Sequence, residues 1–153
     1  MSRTAENRLS ATTLQDLSWV GPSRLRDLLE NCMAPDYPWP GEVPGIYFVS
    51  ERAWHGVPIQ ECGPLWVGKT SVLLRRMGEL LSDMLGFFGN RTGRNPGGWK
   101  VWYHCEKQGL HPLDLFIAWT VDPVCPSCEE RVVDRLLRPI LNDRRPGCQL
   151  HWG

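Results

Sequence analysis

The stretch from Pro35 to Pro44, PDYPWPGEVP, constrains this chain most, because it packs four prolines and a glycine into one short run. Each proline fixes φ and lacks a backbone N–H, so neither a helix nor a central strand survives there. The segment is expected to lie on the surface as a belt or linker. It divides the 153 residues into an N-terminal part, 1–42, and a main domain, 43–153.

On the N-terminal side, Ser23 to Asn31 (SRLRDLLEN) predicts a helix capped by Ser23, with Leu25, Leu28 and Leu29 on one face. Residues 1–42 therefore read as a helical extension ending in the Pro-rich linker. Beyond the belt, Gly45 to Ser50 (GIYFVS) is aromatic and β-branched, and Leu65 to Val67 (LWV) is a second short strand. The two are expected to pair as a hairpin across a long loop. Thr70 or Ser71 then opens a helix to about Leu85, with Leu73, Leu74, Met77, Leu80, Leu81, Met84 and Leu85 inward. Gly86 to Gly98 is a loop rich in Gly, Asn and Arg. Trp99–Cys105 and Leu113–Val121 predict two further strands. Pro126 to Leu137 predicts a second helix with Cys128, Val132, Val133, Leu136 and Leu137 inward, stopped by Pro139. The fold class is α+β, a small mixed or antiparallel sheet flanked by helices behind an N-terminal helical extension.

Charge narrows the function less than the pattern does. Seventeen basic and seventeen acidic residues cancel. The distribution is uneven: Lys69, Arg75, Arg76, Arg91, Arg94 and Lys100 face only Glu79 and Asp83 between positions 69 and 100. Such a strip can meet phosphate, although a solvated helix face is the commoner origin of one. Of six cysteines only Cys125 and Cys128 form a C-x-x-C pair. A zinc site would draw its other ligands from His104, Cys105, Cys148 and His151, whose spacing does not repeat the pair. Buried or free thiols are the expected state. Met1 to Leu14 is polar, and no apolar run approaches the roughly 18 residues of a membrane span. A soluble cytoplasmic protein with no membrane partner is expected.

Gly63 to Thr70, GPLWVGKT, admits two readings. It matches the phosphate-loop pattern G-x-x-x-x-G-K-[ST], with Leu115 to Asp122 as a candidate magnesium-holding partner strand, and would then mark a P-loop NTPase. That pattern needs backbone N–H groups curled around phosphates, yet Leu65, Trp66 and Val67 prefer extended chain. The competing reading is strand plus turn, which closes the hairpin and opens the next helix.

On the second reading the chain resembles the GIY-YIG endonuclease family. Gly45-Ile46-Tyr47 is the first element verbatim, and Trp66-Val67-Gly68-Lys69 stands where the family has Tyr-Ile/Val-Gly-Lys. Arg76 keeps the family interval after the second element, and Glu130, Pro139 and Asn142 keep the later ones. The resemblance implies a metal-dependent endonuclease that hydrolyses phosphodiester bonds, in DNA rather than RNA, with Mg²⁺ or Mn²⁺ held by Glu130. It implies that Arg76 offers paired donors to the phosphate, that Tyr47 serves as general base or orients the water, and that Lys69 is the cation beside it. Asn142 would tie the second helix to the site. Trp66 departs from the pattern, because an indole donates a hydrogen bond but accepts no proton. Either Tyr47 serves alone, or Tyr103 or His104 takes the missing part, or the chain is an inactive nucleic-acid binder. His55, in the loop between the motif strands, is a further candidate for the same cleft. Arg75, Arg91, Arg94 and Lys100, with Asn90 and Asn95, are candidates for phosphate contact, and Trp99 and Trp102 for stacking on unpaired bases. No appended DNA-binding domain is recognisable, so targeting would fall to the N-terminal extension, the Gly86–Gly98 loop, a homodimer or a partner.

Overall fold

The computed structural model describes residues 13–87 and 96–142. Among them are four strands and four helices: β1 (Ser18–Arg24), α1 (Leu25–Asn31), β2 (Gly45–Ser50), β3 (Pro64–Thr70), α2 (Leu73–Met84), α3 (Pro96–Gln108), β4 (Phe116–Val121) and α4 (Pro126–Leu137). The strands form one antiparallel sheet in the order β1-β4-β2-β3. The class is α+β, as expected, and the sheet is antiparallel rather than mixed. Among the described residues no helix is long and apolar enough to cross a membrane.

Alternation along β2 builds two cores. Tyr47 and Val49 point to a cluster filled by α1, α2 and α3, including Leu25, Leu28, Met77, Leu80, Val101 and Cys105. Ile46 and Phe48 point to the opposite cluster, which Val67 joins from β3 and Val133 and Leu137 from α4. Every residue of β2 is buried, as a central strand covered on both faces must be. On the α4 face Trp19, Phe48 and Trp54 pack edge to face at 5.6–6.4 Å between ring centres.

The Pro-rich belt has a definite task. Its Val43 and Gly41 carbonyls accept from the N–H groups of Leu73 and Leu74, at 2.8 and 3.0 Å. These are first-turn donors that α2 itself cannot satisfy. The Thr70 hydroxyl accepts from Val72 N (3.1 Å), closing the turn between β3 and α2.

Four expectations need correction. Trp99–Cys105 lies within helix α3 and is not a strand. Val101 and Cys105, which drive its burial, are four residues apart and satisfy a helical period as well as an alternating one. The N-terminal segment is not only helical: Ser18–Arg24 is strand β1, paired to β4 with a register shift between Val20 and Ser23, and the helix begins at Leu25. Ser18–Arg24 of the N-terminal segment is thus built into the sheet. Leu74 and Leu136, expected inward, are exposed. The last predicted strand also starts later, at Phe116.

The register of the central hairpin places Tyr47 opposite Gly68 and Ile46 opposite Lys69. A Cβ at Gly68 would stand 2.3 Å from Cζ and Oη of Tyr47, so only glycine lets the phenol lie across β3. Gly68→Ala should therefore cost about 2 kcal/mol or more. The loss should shrink in a Tyr47→Ala background. Denaturant melts of the four proteins check this, and an unchanged cost in that background would contradict the packing.

Candidate functional site

Strand β3 lies at the sheet edge and serves three surroundings. Its alternation sends Trp66 and Gly68 to the α2–α3 face and Val67 and Lys69 to the α4 face. Its outer edge is covered by the chain that follows α4. Ile140 N donates to Pro64 O (3.2 Å), and Leu141 N donates to Leu65 O (2.9 Å). Asn142 completes the cover: its Oδ1 accepts from Val67 N at 3.0 Å and its Nδ2 donates to Val67 O at 2.9 Å. One side chain thus imitates a strand partner, blunting an exposed edge and fixing the end of α4 against β3.

Pro126 at the first helical position and Cys125 as N-cap define the start of α4. Cys125 Sγ accepts from Cys128 N at 3.3 Å, so the C-x-x-C pair spans the first turn of a helix. Among the described residues no group of three or more His, Cys, Asp or Glu gathers as a metal cage. Cys148 and His151 lie outside those residues. Glu129 is buried and turns back to accept from Val124 N (2.8 Å) and Cys125 N (3.3 Å). Burial pushes its carboxyl up while those two bonds oppose the shift. Glu129 is occupied in fastening the loop.

Glu130 differs. It is only 9% exposed, and burial pushes its carboxyl up to about 7. The charge of Lys69 opposes that rise and Asp134 adds to it. Asp134 lies one helical turn further and is buried at 2%. Lys69 Nζ donates to Ser127 Oγ at 2.6 Å, which holds the ammonium against the first turn of α4. Lys69, Ser127, Glu130 and Asp134 therefore share one face. Ser127 and Asp134 escaped the sequence reading. The signal for Asp134 was present, as a second carboxylate four residues after Glu130 between inward-facing valines and Leu137.

The other expected residues approach from elsewhere. Tyr47 is buried on the α2–α3 face, with its ring laid over Gly68. The phenol therefore lies on the face of β3 opposite Lys69 and Glu130. Arg76, near the start of α2, is half-buried and bonded to Glu79 at 3.2 Å. Arg75 beside it is exposed, 3.9 Å from the same carboxylate. Trp66 lies against α3: a Cβ at Gly97 would meet its indole at 2.3 Å, Lys100 Nζ sits 5.4 Å from its ring centre, and its Nε1 is buried without a hydrogen-bond partner. His104 pairs with Glu51 at 3.2 Å, and Tyr103 is exposed on α3. His55 is exposed in the loop after β2. That loop leaves from the Ser50–Pro64 end of the hairpin, whereas Lys69 lies at the Gly45–Thr70 end, so His55 is not brought to Lys69. Arg91, Arg94, Asn90 and Asn95 lie outside the described residues.

The phosphate-loop reading of Gly63–Thr70 fails on geometry. Pro64–Thr70 is a strand hydrogen-bonded to β2, not a loop curled around an anion. Comparison of the chain with protein-family models, with curated proteins and with solved structures finds no match.

The raised Glu130 carboxyl ties stability to pH. Below about pH 4.5 it is protonated in both folded and unfolded chain and imposes no penalty. Above that the unfolded chain loses its proton first, while the folded chain keeps its own to about pH 7. Folding stability falls through this window and the penalty is complete above it. Glu130→Gln should accordingly raise stability at pH 8 by on the order of 2 kcal/mol and have little effect at pH 4. Melts at both pH values check this, and equal effects would contradict it.

Proposed function

We propose that this chain is a metal-dependent nuclease of the GIY-YIG kind that hydrolyses phosphodiester bonds in DNA. The observation that carries the reading is Glu130. It is a buried carboxylate held near pH 7, beside the lysine of the WVGK segment and one turn from Asp134. A carboxylate kept at such a cost to stability has the character of a functional group. Its surroundings fit a hard divalent cation. The donors are carboxylate oxygens, and a small ligand set suits Mg²⁺ or Mn²⁺, which retain much of their own water. Glu130 would hold the ion, with Asp134 behind it. Such an ion supplies charge neutralisation at the phosphorus and a water of lowered pKa.

The chain's own residues supply the rest. Lys69, set by Ser127, places an ammonium at the mouth of the site to meet a phosphate oxygen. Arg76 can offer a planar pair of donors once it exchanges Glu79 for phosphate. Gly68 lets the Tyr47 phenol lie across β3, and orienting the attacking water is the part the family resemblance gives it. Asn142 ties β3 to the chain that follows α4 through two hydrogen bonds between its side-chain amide and the Val67 backbone, which helps to fix Lys69 relative to Glu130.

Trp66 supports a second reading, an inactive nucleic-acid binder on the same plan. Its indole is committed to packing on Gly97 beneath Lys100 and cannot accept a proton.

Cleavage of labelled single- and double-stranded DNA and of RNA, with Mg²⁺ or Mn²⁺ and with chelator, separates the two. The nuclease reading expects metal-dependent cutting that falls at least a hundredfold in Glu130→Gln, on the order of the loss when a charge-stabilising group is removed. At low metal concentration activity should rise with pH through a midpoint near 7, because the ionised carboxylate is the form that holds the ion. Higher metal concentration should shift that midpoint down. Folded protein that binds nucleic acid but cuts none of it would favour the inactive binder.

A further inference from the structure

Helix α3 carries a chemistry that the Glu130 site does not use. Trp99, Tyr103 and Lys107 succeed one another at intervals of four, and therefore line one face of the helix. Trp99 and Tyr103 are stacked, 5.7 Å between centres with their planes 11° apart. Lys107 Nζ lies 4.7 Å from the centre of the Tyr103 ring. Both rings are substantially exposed, at 39% and 45%. Large flat rings left in water are unusual unless something covers them. They border a groove of about 300 Å³ whose other wall includes Leu141, part of the segment that covers the β3 edge. Among the described residues, the charged and titratable groups lining that groove are Lys100, Tyr103, His104 and Lys107, with no carboxylate.

We infer that this face of α3 is a stacking platform for unpaired nucleobases, so the strand presented to the Glu130 site is single-stranded where it crosses α3. The inference rests on the nuclease reading above and specifies its substrate. A ladder of two rings ending in an ammonium suits a base and its phosphate together. A base that slides onto Tyr103 replaces the cation–ring contact with a stacking contact, and the displaced Lys107 finds a phosphate. Lys100, over the Trp66 ring, continues the basic line toward β3. Paired bases present no free ring face, so a duplex gains only the charge term. A purely apolar protein partner would give the Lys107 ammonium, which rests on the Tyr103 ring, no anion to meet.

Fluorescence anisotropy of a labelled oligothymidylate, an oligouridylate of equal length and a matched duplex, all in chelator with the full chain, tests this. The expected result is tighter binding of both single strands than of the duplex, with about a tenfold loss for the single strands in the Trp99→Ala/Tyr103→Ala double variant. The Trp99→Phe/Tyr103→Phe variant should retain most of the affinity. Lys107→Ala should weaken all three and reduce the salt slope by about one. Single-strand binding that is unchanged in the alanine double variant, or duplex binding as tight as single-strand binding, would overturn the inference. Because no metal is present and Glu130 is untouched, failure of cleavage leaves this result standing, and failure of stacking leaves the cleavage result standing.

Discussion

The contact between Tyr47 and Gly68 decides how the rest of the molecule can be arranged. Side chains on a strand alternate with period two, so a slip of one residue in the β2–β3 pairing would move Lys69 to the α2–α3 face and put Gly68 under α4. The phenol lying over Gly68 admits only the observed register. From that register follow Val67 in the α4 core, Lys69 against Ser127, and Trp66 against Gly97 of α3. A single glycine therefore connects the packing of both layers.

The α4 face shows how neighbouring acids acquire different roles. Glu129 and Glu130 are adjacent in sequence and both buried, yet Glu129 spends its oxygens on two backbone N–H groups before the helix. Glu130 has Lys69 to lower its carboxyl and Asp134 to raise it, and burial outweighs the lysine. The balance is unfavourable to folding at neutral pH. It is what a site that receives a cation requires, because the ion would relieve the repulsion that folding leaves behind.

Much of this architecture was legible in the residues. GIYFVS, LWV and the two amphipathic helices have strong periodicity and clear punctuation, and the structure contains all four where the pattern puts them, with Pro64–Thr70 longer than LWV. Helix α3 was not legible because Val101 and Cys105 suit either period, and because Gly97 and Gly98, which look like loop residues, serve close approach to Trp66 and to α2. Strand β1 was hidden by Gly21 and Pro22, and the strand it pairs with among the described residues, β4, lies far along the chain. In the site, Lys69, Glu130 and Asn142 were chosen by interval. Interval does not disclose that Ser127 sets the lysine, that Asp134 presses on Glu130, or that Asn142 acts by imitating a strand. The parts of Ser127 and Asn142 are contacts of β3 with α4 and with the chain after it, which sequence spacing does not contain, whereas the interval from Glu130 to Asp134 did stand in the sequence.

On the function we propose, the Glu130–Lys69 face of α4 would receive a divalent cation. Titration of ¹⁵N-labelled protein with Mn²⁺ at pH 8, followed by paramagnetic broadening of backbone amides, tests it without any assumption about substrate. The account predicts early broadening confined to the amides around Ser127–Asp134 and Lys69, reversed by chelator and abolished in Glu130→Gln. Broadening spread evenly over the acidic surface, or centred elsewhere and unaffected by that substitution, would contradict it.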